Sequence, residues 1–174
     1  MVILIAGESH TGKTLLAQRL LERYGFPYLS IDHLKMGLIR SGQTPLTPTD
    51  DPQLLEYLWP IVKEMIKTAI ENQQNLIVEG CYISFDYKKD FAPTYLEQIQ
   101  YVCLIFSEGY IRNHLDSIVG YENVIERRQP DPDWDISAMV QSNAIALQRC
   151  QELGNPYILI DSHYQVDYTP QGLE

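Results

Sequence analysis

Five apolar residues, Val2-Ile3-Leu4-Ile5-Ala6, run directly into Gly7-Glu8-Ser9-His10-Thr11-Gly12-Lys13-Thr14, and a leucine-rich stretch follows. No other part of the chain constrains its fold as tightly. The apolar run is long enough for a buried strand and too short for a buried helix. The segment after it fits G-x-x-x-x-G-K-[ST] at every fixed position. Leu15, Leu16, Leu20 and Leu21 share one face of a helix over 13–24, which Gly25 stops. A strand, a glycine-bearing turn and a helix in that order form a concave site where backbone N–H groups converge on an anion. Lysine supplies an ammonium for the β- and γ-phosphates, and the Thr14 hydroxyl is placed to hold Mg²⁺. Gly7, Glu8, Ser9, His10, Thr11, Gly12, Lys13, Thr14 and the following Leu15 are therefore the expected nucleotide contacts. The expected ligand is a nucleoside triphosphate with Mg, and these residues leave the choice of adenine or guanine open.

The rest of the chain repeats the alternation. Strands are expected over 27–30, 76–78, 101–106 and 157–160, each a short and nearly continuous apolar run. Helices are expected between them. One follows the second strand to about residue 40, with Ser30 or Asp32 as its cap. A long one covers 53–72 and is kinked or divided at Pro60. Another starts at Ser107 or Glu108, and the last runs from a cap at Asp135 to Leu153, ended by Gly154-Asn155-Pro156. Residues 41–52 read as a mobile loop, 81–98 as a loop with a helix broken at Pro93, and the tail from 165 as frayed. Strands of this kind separated by helices imply an α/β fold. The expected form is a three-layer sandwich around a five-stranded parallel sheet buried on both faces. Right-handed crossovers put all strand C-terminal ends on one edge, where ligands of such sheets bind. The loop 7–14, Ser30 to Asp32, Glu79-Gly80, Phe106 to Glu108 and Asp161 fall on that edge.

Composition narrows the function. At 174 residues and 45% hydrophobic content, the chain suits one domain with a real core, expected to span 1–174. Its net charge of −10 opposes extended contact with nucleic acid or an anionic membrane. No apolar stretch approaches the length of a membrane span, and no secretory leader is expected. Cys81, Cys103 and Cys150 are odd in number and lack metal-ligand spacing. Cys103 and Cys150 are expected as buried thiols, which suits a cytoplasmic setting. The histidines at 10, 33, 114 and 163 also lack ligand spacing. Tyr57 and Trp59 either wall a pocket or, the preferred reading, pack in the core. The oligomeric state is open.

Four segments together resemble the adenylate kinase-like superfamily of P-loop kinases. They are GESHTGKT, Leu29 to Lys35, Val78-Glu79-Gly80 and the arginines of a polar stretch before the last long helix. The closest look is to small-molecule, polynucleotide and zeta-toxin-like kinases and chloramphenicol phosphotransferase-like enzymes. The resemblance implies a P-loop NTPase fold of nucleotide kinase type and an ATP- and Mg-dependent phosphotransferase acting on a small-molecule acceptor. It implies that Lys13, Asp32, Arg127 and Arg128 are catalytic, with Asp32 facing the acceptor hydroxyl. Arg112 would bind nucleotide, Arg40 and Glu79 the acceptor, and Glu79 with Thr14 the metal. The acceptor region would be about 31–60 and a closing lid about 112–134. An acidic residue at 32 favours a hydroxyl acceptor, because a nucleoside monophosphate already offers a phosphate oxygen. Two other readings stay open: a nucleoside monophosphate kinase, and a nucleotide-binding regulatory protein with little turnover. A third, an NTP hydrolase, has no residue placed to orient water.

Overall fold

The computed structural model describes residues 1–120 and 135–173. In chain order it comprises β1 (Val2–Gly7), α1 (Lys13–Tyr24), β2 (Tyr28–Ser30), α2 (Ile31–Arg40) and α3 (Asp51–Glu71). β3 (Leu76–Glu79), a 3₁₀ turn (Tyr87–Asp90), α4 (Pro93–Leu96) and β4 (Ile99–Phe106) follow. α5 (Glu108–Gly120), α6 (Ile136–Leu153) and β5 (Tyr157–Ile160) complete it. The five strands form one sheet in the order β2-β3-β1-β4-β5, and every pairing is parallel.

Period-two alternation along the strands divides the apolar residues between two cores. Val2, Leu4 and Ala6 join Val78, Tyr101, Cys103 and Ile105 on one face, under α2, α3 and α6. Ile3 and Ile5 join Ile77, Val102, Leu104 and Phe106 on the other, under α1 and α5. The result is the expected three-layer α/β sandwich. β1 is central, with β3 and β4 on its two sides, so the turn after it opens at the point where the strand order diverges. Open α/β sheets bind ligands at such a switch point.

Several expectations are corrected. α3 begins at Asp51, with Pro52 in its first turn, and it passes through Pro60 without division. Proline suits a first turn because its missing N–H has no partner there. Pro93 likewise begins α4 rather than breaking a helix. α2 starts at Ile31, Ser30 makes no side-chain cap, and Asp32 stands inside the first turn. β5 is not buried on both faces: it closes the sheet, and Tyr157 and Leu159 stand 38% and 43% exposed. The tail from 165 is docked rather than frayed. Val166 is buried, and the backbone of Gln171 exchanges hydrogen bonds with the Gln100 side chain at 2.8 and 2.9 Å.

Other expectations hold. Asp135 caps α6, its Oδ1 accepting from the Ala138 N–H at 3.0 Å, and Gly154 ends it in the left-handed conformation. Cys103 and Cys150 are buried free thiols, and Trp59 packs in the core. Among the described residues no helix is long and apolar enough to cross a membrane.

Candidate active site

The loop after β1 is held open by its own backbone. His10 and Gly12 take left-handed φ values of 68° and 86°. Such turns aim successive N–H groups to one side and make a nest for an anion. Glycine is required at 12 for a second reason: a Cβ there would stand 1.8 Å from the Tyr164 hydroxyl. Tyr164 comes from the segment after β5 and donates to the Thr11 carbonyl at 3.3 Å. Gly7 is fixed the same way, since a Cβ would meet the Leu104 carbonyl at 2.4 Å. One oxygen staples the loop. The Glu8 carbonyl accepts from Thr11 Oγ1 at 2.9 Å and from Lys13 Nζ at 2.7 Å.

Lys13 begins α1 and is only 6% exposed. Burial alone would push its pKa down. Cys81, Glu79 and Asp32 together outweigh that, and the pKa lies above the usual lysine value. Lys13 therefore stays charged inside the fold. Glu79 is 2% exposed at the end of β3. A Cβ on the next residue, Gly80, would stand 2.9 Å from Ile31 Cβ, so glycine there lets α2 approach the strand end. Glu8 titrates above its ordinary value, chiefly through burial, which Lys13 and a hydrogen bond to Ser142 of α6 partly offset.

A polar chain leads away from the loop on the α2 side. Lys35 Nζ pairs with Asp32 Oδ1 at 2.9 Å and donates to the Tyr82 hydroxyl at 3.2 Å. Tyr82 donates in turn to Asp51 Oδ1 at 2.6 Å. Burial first, then Asp51, Asp32 and Cys81, raise the phenol well above its ordinary value, so it remains a donor. Cys81, beside Tyr82, lies 3.7 Å from the Ser9 hydroxyl and also bonds Lys13.

Three of the sequence-derived candidates thus converge: Lys13, Asp32 and Glu79. Two do not enter this cluster. Arg40 is exposed at the end of α2, and Arg112 is exposed and paired with Glu108 at 2.8 Å. Arg127 and Arg128, with most of the lid expected over 112–134, lie outside the described residues. Sequence reasoning gave no role to Cys81, Tyr82, Lys35, Asp51 or Tyr164. Cys81 and Tyr82 follow directly on the strand end Glu79-Gly80, and Lys35 stands one helical turn from Asp32. Those offsets were legible signals. Asp51 and Tyr164 reach the site only through tertiary packing.

No three His, Cys, Asp or Glu side chains among the described residues gather as a ready metal cage. Thr14 and Glu79, the sequence-derived candidates for a metal, would offer one hydroxyl and one carboxylate. That donor set suits Mg²⁺, which keeps waters and takes substrate phosphates as ligands.

No family model matches the chain, and no curated protein matches it. Solved structures do. A presumptive kinase of Chloroflexus aurantiacus is similar at 18% identity and a TM-score of 0.55, over 95% of this chain and 91% of that one. The deoxyadenosine kinase of M. mycoides is similar at 12% identity and a TM-score of 0.54, over 92% and 90%. The shikimate kinase of Bacteroides thetaiotaomicron is similar at 13% identity and a TM-score of 0.51, over 93% and 86%. The chain has the fold of the P-loop kinases.

Proposed function

We propose that the protein is a phosphotransferase that moves the γ-phosphoryl group of ATP to a hydroxyl of a small molecule. One observation carries the reading. The buried Lys13 at the start of α1 shares its surroundings with two carboxylates, Asp32 at the start of α2 and Glu79 at the end of β3. The fold shared with named kinases of small molecules supports it.

In this reading the N–H groups of 7–14 and Lys13 hold the triphosphate, and Leu15 follows in the first turn of α1. Thr14 and Glu79 would hold Mg²⁺, which supplies charge neutralisation at the β/γ oxygens. Asp32 accepts the acceptor's hydroxyl proton while that oxygen bonds to the γ-phosphorus. The bond from phosphorus to the β–γ bridging oxygen breaks and ADP leaves. Lys35 orients the Asp32 carboxylate through its ion pair. Arg127 and Arg128 are the candidates to hold the transferring group, because a guanidinium fork matches a phosphoryl group. The whole chain acts as one kinase domain, with an acceptor region at about 31–60 and a lid at about 112–134, in a soluble cytoplasmic setting.

Calorimetry and acceptor-dependent ADP release test this. Mg·ATP binds the full chain, and Lys13→Ala weakens binding roughly 10- to 150-fold, the loss of about 1.5–3 kcal/mol for a charge-assisted contact. Asp32→Asn keeps ATP affinity within about threefold and lowers acceptor-dependent turnover by at least about a hundredfold. Failure of Mg·ATP to bind, or full turnover in Asp32→Asn, ends the proposal.

A further inference from the structure

The segment after β5 runs from the loop after β1 to the opposite edge of the sheet, and its meaning for nucleotide binding rests on the kinase reading. It lies on the face that carries α1 and α5, where Val166 is buried and Tyr164, Tyr168 and Leu173 pack around it. Its fastenings sit at the two ends of β4. Tyr164 meets Phe106, the last residue of that strand. Tyr168 and Gln171 bond Gln100, its second residue, at 3.2, 2.8 and 2.9 Å. The segment is a strap held at both ends.

At the site edge the strap presents one phenol to the loop. The Tyr164 ring stands 65° to Phe106 at 6.5 Å between centroids, and Phe106 stacks on Tyr110 of α5 at 4.9 Å. A Cβ on Gly12 would lie 1.8 Å from the Tyr164 oxygen and 2.8 Å from its Cζ, so the phenol rests on the Gly12 backbone. Burial, chiefly, pushes its pKa up to about 12, so the hydroxyl keeps its proton and donates to the Thr11 carbonyl. That carbonyl and the Gly12 N–H belong to one planar trans peptide and point in opposite directions. Holding the carbonyl toward Tyr164 aims the Gly12 N–H away from it. Glycine at φ 86° has little preference of its own for that orientation, because other conformations cost it little. We infer that Tyr164 is a positioning residue for the phosphates of the nucleotide: the strap fixes the Thr11–Gly12 peptide plane in advance, so that the ligand does not have to order it. Binding is tighter when a donor is ordered before the ligand arrives.

Two single-hydroxyl deletions in the full chain test this, each in protein whose circular dichroism matches the parent. Tyr164→Phe keeps a ring beside Gly12 and Phe106 and removes only the donor to Thr11. Tyr168→Phe removes the hydroxyl that bonds Gln100 at the far end of the same strap. Calorimetry with Mg·ATP compares them. Tyr164→Phe loses at least about threefold more affinity than Tyr168→Phe, a size that one neutral hydrogen bond can supply. A role confined to holding the strap down would weaken both alike. A difference under about threefold therefore overturns the inference and leaves the kinase reading standing. Failure of the parent chain to bind Mg·ATP removes the kinase reading, and this inference with it.

Discussion

Lys13 and Glu8 sit in one loop and are affected by burial in opposite ways. Burial disfavours the charged form of both. Lys13 overcomes it because Cys81 and carboxylates from β3 and α2 stand near, while Glu8 has one ammonium and one hydroxyl to offset it. The Glu8 carboxyl consequently titrates above its ordinary value of 4.5 in the folded chain. Ionising it costs more folded than unfolded, so stability falls as pH rises through the window that opens at that value. Glu8→Gln removes this loss. Its urea midpoint is expected to exceed the parent's at pH 7, and the gap is expected to shrink toward pH 4. An equal gap at both values would assign the effect to packing. Mg·ATP affinity should rise in the same variant, because a buried negative charge beside the phosphates is gone. Cys81 makes a related point. In the sequence it is one of three thiols without ligand spacing, yet its position two residues past Glu79 sets it against Lys13 and Ser9.

At the scale of elements, local chemistry and packing compete, and packing wins where they disagree. α6 begins and ends where its sequence says, because Asp135 and Gly154 satisfy the orphan groups of its two ends. α3 ignores Pro60. Leu54, Leu58, Val62, Ile66 and Ala69 bury a continuous stripe against the sheet, and that stripe outweighs one missing backbone hydrogen bond. Pro60 itself is exposed, so its ring packs against little. Pro60→Ala is therefore expected to stabilise the chain by about 1–2 kcal/mol. That is the helix penalty of about 3 kcal/mol less relaxation and the roughly 0.4–1 kcal/mol that proline's stiffness removes from the unfolded state. Chemical denaturation checks it, and a lower midpoint in the variant would show that α3 needs its proline. The tail is the opposite case. It has no pattern of its own, yet Gln100, Val166 and Tyr168 dock it, and Tyr164 reaches the loop after β1.

The whole molecule supplies the site by topology. Four parallel crossovers bring the ends of β1, β2 and β3 and the starts of α1, α2 and α3 to one edge. Residues far apart in sequence, Lys13, Asp32, Asp51, Glu79 and Tyr82, are gathered there by the sheet. Ligand binding at that edge should stabilise the fold as a unit. Mg·ATP at a hundred times its dissociation constant adds about 2.7 kcal/mol, which for a chain of this size raises the melting temperature by roughly 5–10 °C. Scanning calorimetry reads the shift, which Lys13→Ala should cut to about half or less at the same concentration. An undiminished shift in that variant would place the nucleotide elsewhere.

The strand, the glycine turn and the following helix were determined by the sequence itself. The apolar period, the two glycines, the lysine and the caps of α1 and α6 are local properties, and local properties survive without knowledge of neighbours. The same holds for the parallel α/β class and for the buried thiols. The nearness of Asp32 to Lys13 was legible because strand ends of such sheets meet on one edge. The partner of Asp32 was not, since an ion pair with Lys35 and the link through Tyr82 to Asp51 depend on how α2 and α3 lean on β3. Only tertiary packing decided that contact, that α3 would run unbroken through a proline, and that β5 would leave one face to solvent. Each is settled by which surfaces are left to bury once the sheet has formed, a quantity no single segment of the chain contains.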